Sequence, residues 1–423
     1  MSINQETLHL IVNPVAGHGE ASEFVDETVL PILRHLSVPH HIHVTTSPGD
    51  AGTIGKSIAS HEDRRTIQVA IVGGDGTFHE FIQGVNGIDS IKWEVILFPH
   101  GTANALYSSL YRTPSNFIEK HQTIINSLPS KYPEEILFKL TSLLSYLSKS
   151  SNLINLPITE TTIISEKGNE EEEEKEEKII SHVVLSTSLH ASILFDSESL
   201  RKSNPGIERF KISAQKNSSK LFYAKVNLNS KLNVKQWDSK IEKWVKPFTL
   251  LNENDNNNNE IKGPFTYFLS TSTVDRLESN FIISPLTKLN NENDENFIYI
   301  TIIRPLRDSL IINSKIDERK YKLSKRAFEV IGKAYLNGQH INLTLPLQGN
   351  ELEDKGKGEP VVEIFRCTSF EWVPLSEGEY EGLERGNESL ICADGAIHTI
   401  PQGGIMKVKL QEKKNDKGIY VFI

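Results

Sequence analysis

The chain has 423 residues, 38% hydrophobic and 24% charged, which is enough for two cores at the usual domain size of roughly 100 to 200 residues. A formal net charge of -9 provides no global basic field, so nucleic-acid binding by counterion release is set aside as a leading function. Two cysteines, Cys367 and Cys392, are too few for a secreted disulfide scaffold and lack zinc-site spacing, which favours a reducing compartment.

The opening MSINQETLHLIVNP lacks the charged start and long apolar stretch of a signal peptide, and neither end carries a lipidation motif. No run approaches the ~18 to 20 apolar residues that span a bilayer. The first hundred residues alternate short apolar runs with helix-period segments, the pattern of a parallel sheet with crossover helices. Leu8 to Val12, Ile42 to Val44, Ile67 to Val72 and Val95 to Phe98 read as buried strands. Phe24, Val25, Val29, Ile32, Leu33 and Leu36 share a helical face, and Pro31 inside that stretch predicts a kink or break.

Three strands run into polar, glycine-bearing loops: Asn13 to Gly19, Gly73 to Thr77 and Pro99 to Asn104. In an open α/β sheet such carboxyl-end loops line one crevice, so the three are expected to meet. The segment TIQVAIVGGDGTFHEFIQGV is the sharpest signal. A buried strand enters GGDGT and leaves as an amphipathic helix, where glycines permit close phosphate approach and the helix start offers unpaired N–H groups.

Further on, Ile136, Leu137, Leu140, Leu143, Leu144 and Leu147 lie at helical spacing within 133–148 and read as core. The acidic run Glu170 to Glu177, broken by Lys175, and the asparagine run Asn256 to Asn259 read as disordered insertions. Beyond Ser181 the runs His182 to Leu185, Phe265 to Leu269, Phe297 to Ile303, Val361 to Phe365 and Ile405 to Leu410 are strand-like, with one helix expected near Lys325 to Leu336. The expected fold class is α/β plus β: an N-terminal doubly wound parallel-sheet nucleotide-binding domain over 7–150 and a mostly antiparallel β domain over 181–423. An acidic disordered linker over 151–180 would join them, and an asparagine-rich insertion would fall near 252–260.

Read together, NPVAGHG from Asn13, TTSPGDA from Thr45, VGGDGTFHEFIQGV from Val72 and FPHGTANAL from Phe98 resemble the catalytic domain shared by diacylglycerol, sphingosine, ceramide and bacterial lipid kinases. The resemblance is close over about the first 110 residues. It implies an enzyme that transfers the γ-phosphate of Mg-ATP to a lipid hydroxyl, with ATP in the interdomain cleft and the lipid bound mostly by the β-rich half. It further implies that the protein works at the surface of intracellular membranes from the cytoplasm. Carried over by residue, Asn13, Gly17 and Thr45 sit by the nucleotide, Gly73, Gly74, Gly76 and Thr77 cradle the phosphates, and Gly101, Thr102 and Asn104 close the opposite side. Asp75 orients or deprotonates the acceptor hydroxyl, directly or through magnesium.

The second half matches more thinly. Asp196, Ser197 and Glu198 align with a Ser-Glu element, and Arg201 and Arg209 fall where the family places phosphate-contacting arginines, or else are solvated surface residues. Ser192 and Leu194 stand where sphingosine kinases place an Asp-x-Asp pair at the lipid head group. Asp394, the first residue of Asp394-Gly395-Ala396, is the candidate metal contact, and Ala396 replaces the glutamate of a family Asp-Gly-Glu. His79 reads as a polar helix residue more than as a catalyst. Two rival readings remain open: a catalytically silent nucleotide- and lipid-binding protein, and a soluble kinase of the NAD-kinase type, which also uses a GGDG loop.

Overall fold

The structure is a computed structural model that describes residues 7–88, 90–112, 114–148, 153–165, 176–204, 206–228, 234–247, 260–287, 295–411 and 417–423. The N-terminal half builds strand β1 (Leu8–Val12), the helical stretch α1 (Ala21–Phe24) and α2 (Leu30–His35), β2 (His40–Val44), α3 (Asp50–His61), β3 (Thr66–Gly73), α4 (Asp75–Val85), β4 (Lys92–Pro99) and α5 (Ala105–Leu110). Four shorter helices follow: α6 (Pro114–Lys120), α7 (Gln122–Ile125), α8 (Glu134–Lys139) and α9 (Thr141–Leu147).

The sheet order is β2-β1-β3-β4, all parallel, continued by Gly418–Phe422 and then β5 (Leu153–Asn155). Because the chain leaves β1 toward β2 and then returns to place β3 on the other side, strand order reverses between β1 and β3. A crevice therefore opens beyond their carboxyl ends. Both faces are covered, so β1 is buried throughout and, His9 apart, apolar. Leu8, Leu10 and Val12 pack with Val29, Ile32, Leu33, Leu140, Leu143 and Leu144 on one face, which confirms the helical core expected within 133–148. Ile11, Val69 and Ile71 pack with Phe78, Phe81, Ile82 and Val85 of α4 on the other.

Two expectations are corrected here, and a third takes a specific form. Strand β2 is an exposed edge and not a buried strand: among the described residues only β1 pairs with it, and Ile42 and Val44 are exposed on its face. The kink expected from Pro31 takes the form of a π turn over Val25–Val29 between α1 and α2. Its wider register relieves the clash between a proline ring and the carbonyl one turn earlier without ending the helix. His182 to Val184 form a bend and not a strand; the strand there begins only at Leu185.

Within the stretch expected as a linker lie β5, β6 (Thr159–Ile164) and β7 (Glu176–Ser181), so Glu176 and Glu177 of the acidic run open a strand. The rest of that run, and Asn256 to Asn259, lie outside the described residues. The C-terminal half forms a six-stranded and an eight-stranded sheet, antiparallel in every pairing. Phe265, Phe268, Phe370 and Trp372 lie in the core between them. Strand β8 (Leu185–Thr187) belongs to the larger sheet and leads into α10 (Ser188–Ser199) and α11 (Glu208–Asn217). Among the described residues no helix is long and apolar enough to cross a membrane.

Candidate active site

The loops after β1, β3 and β4 meet at the crevice by backbone contact, which explains their glycines. A Cβ on Gly74 would lie 2.7 Å from the Gly101 Cα, and one on Gly17, whose φ is +57°, would lie 2.6 Å from the His100 carbonyl oxygen. Each approach is closer than two carbon-bearing residues tolerate, so only glycine lets the loops touch. Polar side chains then tie them. Asn13 Nδ2 donates to Thr77 Oγ1 at 2.9 Å, joining the first loop to the second. Asn104, held left-handed at φ 51°, accepts from the Gly101 N–H at 2.8 Å and donates to its carbonyl at 2.9 Å, bracing the third.

Asp75 completes the bracing. Its carboxylate accepts from the N–H of Ala105 at 2.8 Å and of Leu106 at 3.1 Å, the start of α5. Burial raises its pKa; the two amide hydrogen bonds and the charge of His182 oppose this, while the charge of Asp394 adds to it. The start of α4 is different: its N-cap is Gly74, which has no side chain to cap the first-turn N–H groups beside the crevice. A methyl group added to Gly76, in that first turn, would have nothing within 4 Å, and the φ of Gly76 is not left-handed. Neither backbone strain nor packing inside the chain requires a glycine there. A small cavity lined by Gly73, Gly74, Asp75, Pro99, Asn104 and Tyr107 marks the floor. A larger one, about 440 Å³, lies at the far end of α4 beside Ile82, Val85 and Trp93 and does not belong to this site.

Thr45 is buried beside β1, its N–H on the Val12 carbonyl at 2.9 Å, and Thr102 is exposed on the third loop. The α10–α11 residues are engaged among themselves. Arg201 forms a two-pronged pair with Glu198, both contacts 2.7 Å, and Arg209 lies over the Phe210 ring at 4.6 Å. Asp196 is taken by Asn217 at 2.7 Å and Lys216 at 3.0 Å. Ser192 is buried, and Leu194 packs against a cluster of Ala191, Leu390 and Cys392.

Asp394 is engaged from several sides. Its side chain is fully enclosed and accepts from the N–H groups of His182, Val183 and Val184 at 2.8 to 2.9 Å and from His79 Nδ1 at 3.0 Å. His182 Nδ1 lies 2.7 Å away, outside hydrogen-bond geometry, so that contact is electrostatic. Despite the burial that opposes ionisation, the close contact and charge of His182, with the hydrogen bond and charge of His79, hold the Asp394 carboxyl far below the usual range. Magnesium seeks oxygen lone pairs and keeps its waters, whereas these lone pairs are filled by N–H groups and flanked by imidazoles. The filled lone pairs suit magnesium poorly, while ligand atoms, one each from His79, His182 and Asp394, lie within 4.8 Å of one another. In this structure Asp394 acts as a latch that binds α4, one turn past Asp75, to the bend between β7 and β8. Sequence reasoning missed His79 and His182 as partners, since 315 residues separate His79 from Asp394.

Comparison with known proteins agrees with this geometry. Residues 7–132 match the diacylglycerol kinase catalytic domain family. The Bacillus subtilis (strain 168) protein named "Putative lipid kinase YtlR" is 31% identical over 94 residues, a match spanning 22% of this chain and 29% of that protein. A crystal structure of "a putative diacylglycerol kinase from Bacillus anthracis str. Sterne" aligns over 96% of this chain and 93% of that one, with a TM-score of 0.52 and 13% identity. At that identity the likeness concerns the fold.

Proposed function

We propose that this chain, whose residues 7–132 belong to the diacylglycerol kinase catalytic domain family, is an ATP-dependent lipid kinase with its phosphates held at the start of α4. The observation that carries the reading is Gly76. A glycine with ordinary backbone and empty surroundings, in an uncapped first turn, is explained by a ligand that approaches the backbone from outside. The uncapped N–H groups and the dipole of α4 favour a polyanion there.

In the proposed reaction the lipid hydroxyl oxygen bonds to the γ-phosphorus, the bond from that phosphorus to the β,γ-bridging oxygen breaks, and ADP leaves. The hydroxyl proton passes to Asp75, whose raised pKa brings a carboxylate nearer to the range of a working base. Each Asp75 oxygen accepts one amide N–H and keeps room for one more donor. A divalent ion bound to ATP would neutralise phosphate charge; no role in that is assigned to Asp394. The acceptor is proposed to be a neutral lipid, diacylglycerol or ceramide, met at a membrane surface. A sphingoid ammonium needs a paired anion to offset desolvation, whereas Ser192 and Leu194 are uncharged and Asp196 is already paired.

The engagement of both Asp75 and Asp394 by N–H groups favours one second reading, a nucleotide-binding protein without transfer activity. Purified protein with labelled ATP and magnesium, presented with diacylglycerol, ceramide, sphingosine and monoacylglycerol in mixed micelles, separates the two. Phosphorylated neutral lipid is the expected result. Bound ATP with no labelled lipid would replace this reading by the second, and labelled sphingosine alone would overturn the substrate argument.

A further inference from the structure

We propose that His9, His41 and His43 form a binding site for one divalent transition-metal ion of the zinc class on the exposed edge of the parallel sheet. The strand pattern builds it. Residues 41 and 43 share a face of β2 because side chains alternate along a strand, and the parallel register sets His9 of β1 directly opposite His41. Three imidazoles thus gather on one face of the outermost strand pair, outside the loops of the proposed active site.

The spacing of His9 and His43 suits a tetrahedral ion. With metal–nitrogen bonds of ~2.0 to 2.1 Å, two ligand nitrogens sit about 3.3 Å apart and ring centres about 5 Å apart. His9 Nδ1 and His43 Nε2 are 3.1 Å apart. The ring centroids are 5.4 Å apart for His9 and His43, 4.6 Å for His41 and His43, and 6.4 Å for His9 and His41. His41 is exposed, and on this proposal its ring rotates to bring the third nitrogen in, leaving the fourth position to water.

Behind His9, Glu62 Oε1 lies 3.4 Å from Nε2, the carboxylate that commonly orients a ligand histidine whose other nitrogen holds the metal. Arg64, 4.0 Å from Glu62, is the one charged competitor for that carboxylate among the described contacts. A hydrogen-bonded histidine pair would explain His9 and His43 alone. It leaves unexplained the third ring on the same face and the carboxylate on the outer nitrogen. An ion here would pin β2, which among the described residues has only β1 as a neighbour, and guard an open sheet edge.

The test uses the full chain without a histidine tag, stripped with chelator and titrated with Co2+ and then Zn2+, in the absence of ATP. One equivalent of Co2+ should give the visible bands of a four-coordinate site, displaced by Zn2+, and Zn2+ should raise the melting temperature. His41→Asn, at an exposed position that folding does not need, should weaken binding at least about tenfold and abolish the bands. Glu62→Gln should weaken it about 10- to 100-fold, while His398→Asn, elsewhere in the fold, should leave it unchanged. Binding no tighter than roughly 0.1 mM, on the affinity scale where that marks a weak site, would overturn the proposal. Equal binding by wild type and His41→Asn would overturn it too. Because neither ATP nor lipid is present, the outcome is independent of the kinase reading.

Discussion

Gly76→Ala is expected to make the protein more stable and worse at binding ATP, two effects of opposite sign from one methyl group. The added Cβ would meet nothing within 4 Å and the backbone is not left-handed, so the folded state accepts it without displacement. Gly76 sits in the first turn of α4, where replacing glycine by alanine stabilises by up to about 1 kcal/mol through helix propensity and a less flexible unfolded chain. The same methyl stands where a phosphate oxygen would approach the uncapped N–H groups. Loss of that approach is expected to weaken ATP about 10- to 100-fold, or ~1.4 to 2.8 kcal/mol. Thermal unfolding and calorimetric titration with a non-hydrolysable ATP analogue read the two effects separately. Gly74→Ala supplies the contrast: its Cβ would fall 2.7 Å from the Gly101 Cα, a backbone atom, so the loops must part and stability and binding fall together. Unchanged ATP affinity in Gly76→Ala would remove the phosphate cradle from α4, and a lowered melting temperature would show that the glycine serves the fold.

Asp75→Asn should reduce lipid phosphorylation at least about 100-fold. It should also cost roughly 1 to 3 kcal/mol of stability, because the amide NH2 would face the N–H of Ala105 or Leu106 where an acceptor stood; single-turnover kinetics and urea unfolding measure the pair. The His79–Asp394 latch should give a definite pH signature. Burial lowers the His79 pKa, but the hydrogen bond and charge of Asp394 and the charge of Glu80 outweigh it, so the net shift is upward. Its contribution is then complete below the ordinary histidine value of about 6.5 and is lost as pH rises through the raised value. Asp394 is shifted down, so its contribution is present above the ordinary value of about 3.9 and is lost only in strong acid. Urea unfolding should show wild-type stability falling above pH 6.5 and His79→Gln losing that slope; an identical slope in both would refute the latch.

The parallel half was legible because its physics is local. Strands covered on both faces become apolar runs, and loops that touch backbone to backbone must carry glycine, so β1, β3 and β4 and the meeting of Asn13, Gly74 and Gly101 could be read from short stretches. Where partners were distant the signal failed. Burial of a strand depends on its neighbours, and nothing in His40–Val44 says that, among the described residues, only β1 pairs with β2. Arg201, placed by motif against a phosphate, is a different case: it lies just past the end of α10, and in this structure it pairs with Glu198 three residues earlier.

The least legible feature also bears most on the domain boundary. Gly418–Phe422 inserts between β4 and β5, pairing parallel with Lys92 to Val95 and antiparallel with Leu153 to Asn155, although its five residues carry no mark of where they belong. Without that strand β4 would be an open edge, and Phe422 would be missing from the cluster formed by Leu140, Leu143 and Leu144. The Phe422 carbonyl also accepts from Ser142 Oγ at 3.2 Å and from the Tyr111 hydroxyl. The parallel half is thus completed by Gly418–Phe422, after the antiparallel sheets have been traversed. Its last strand couples the stability of the GGDGT strand pair to the folding of everything between.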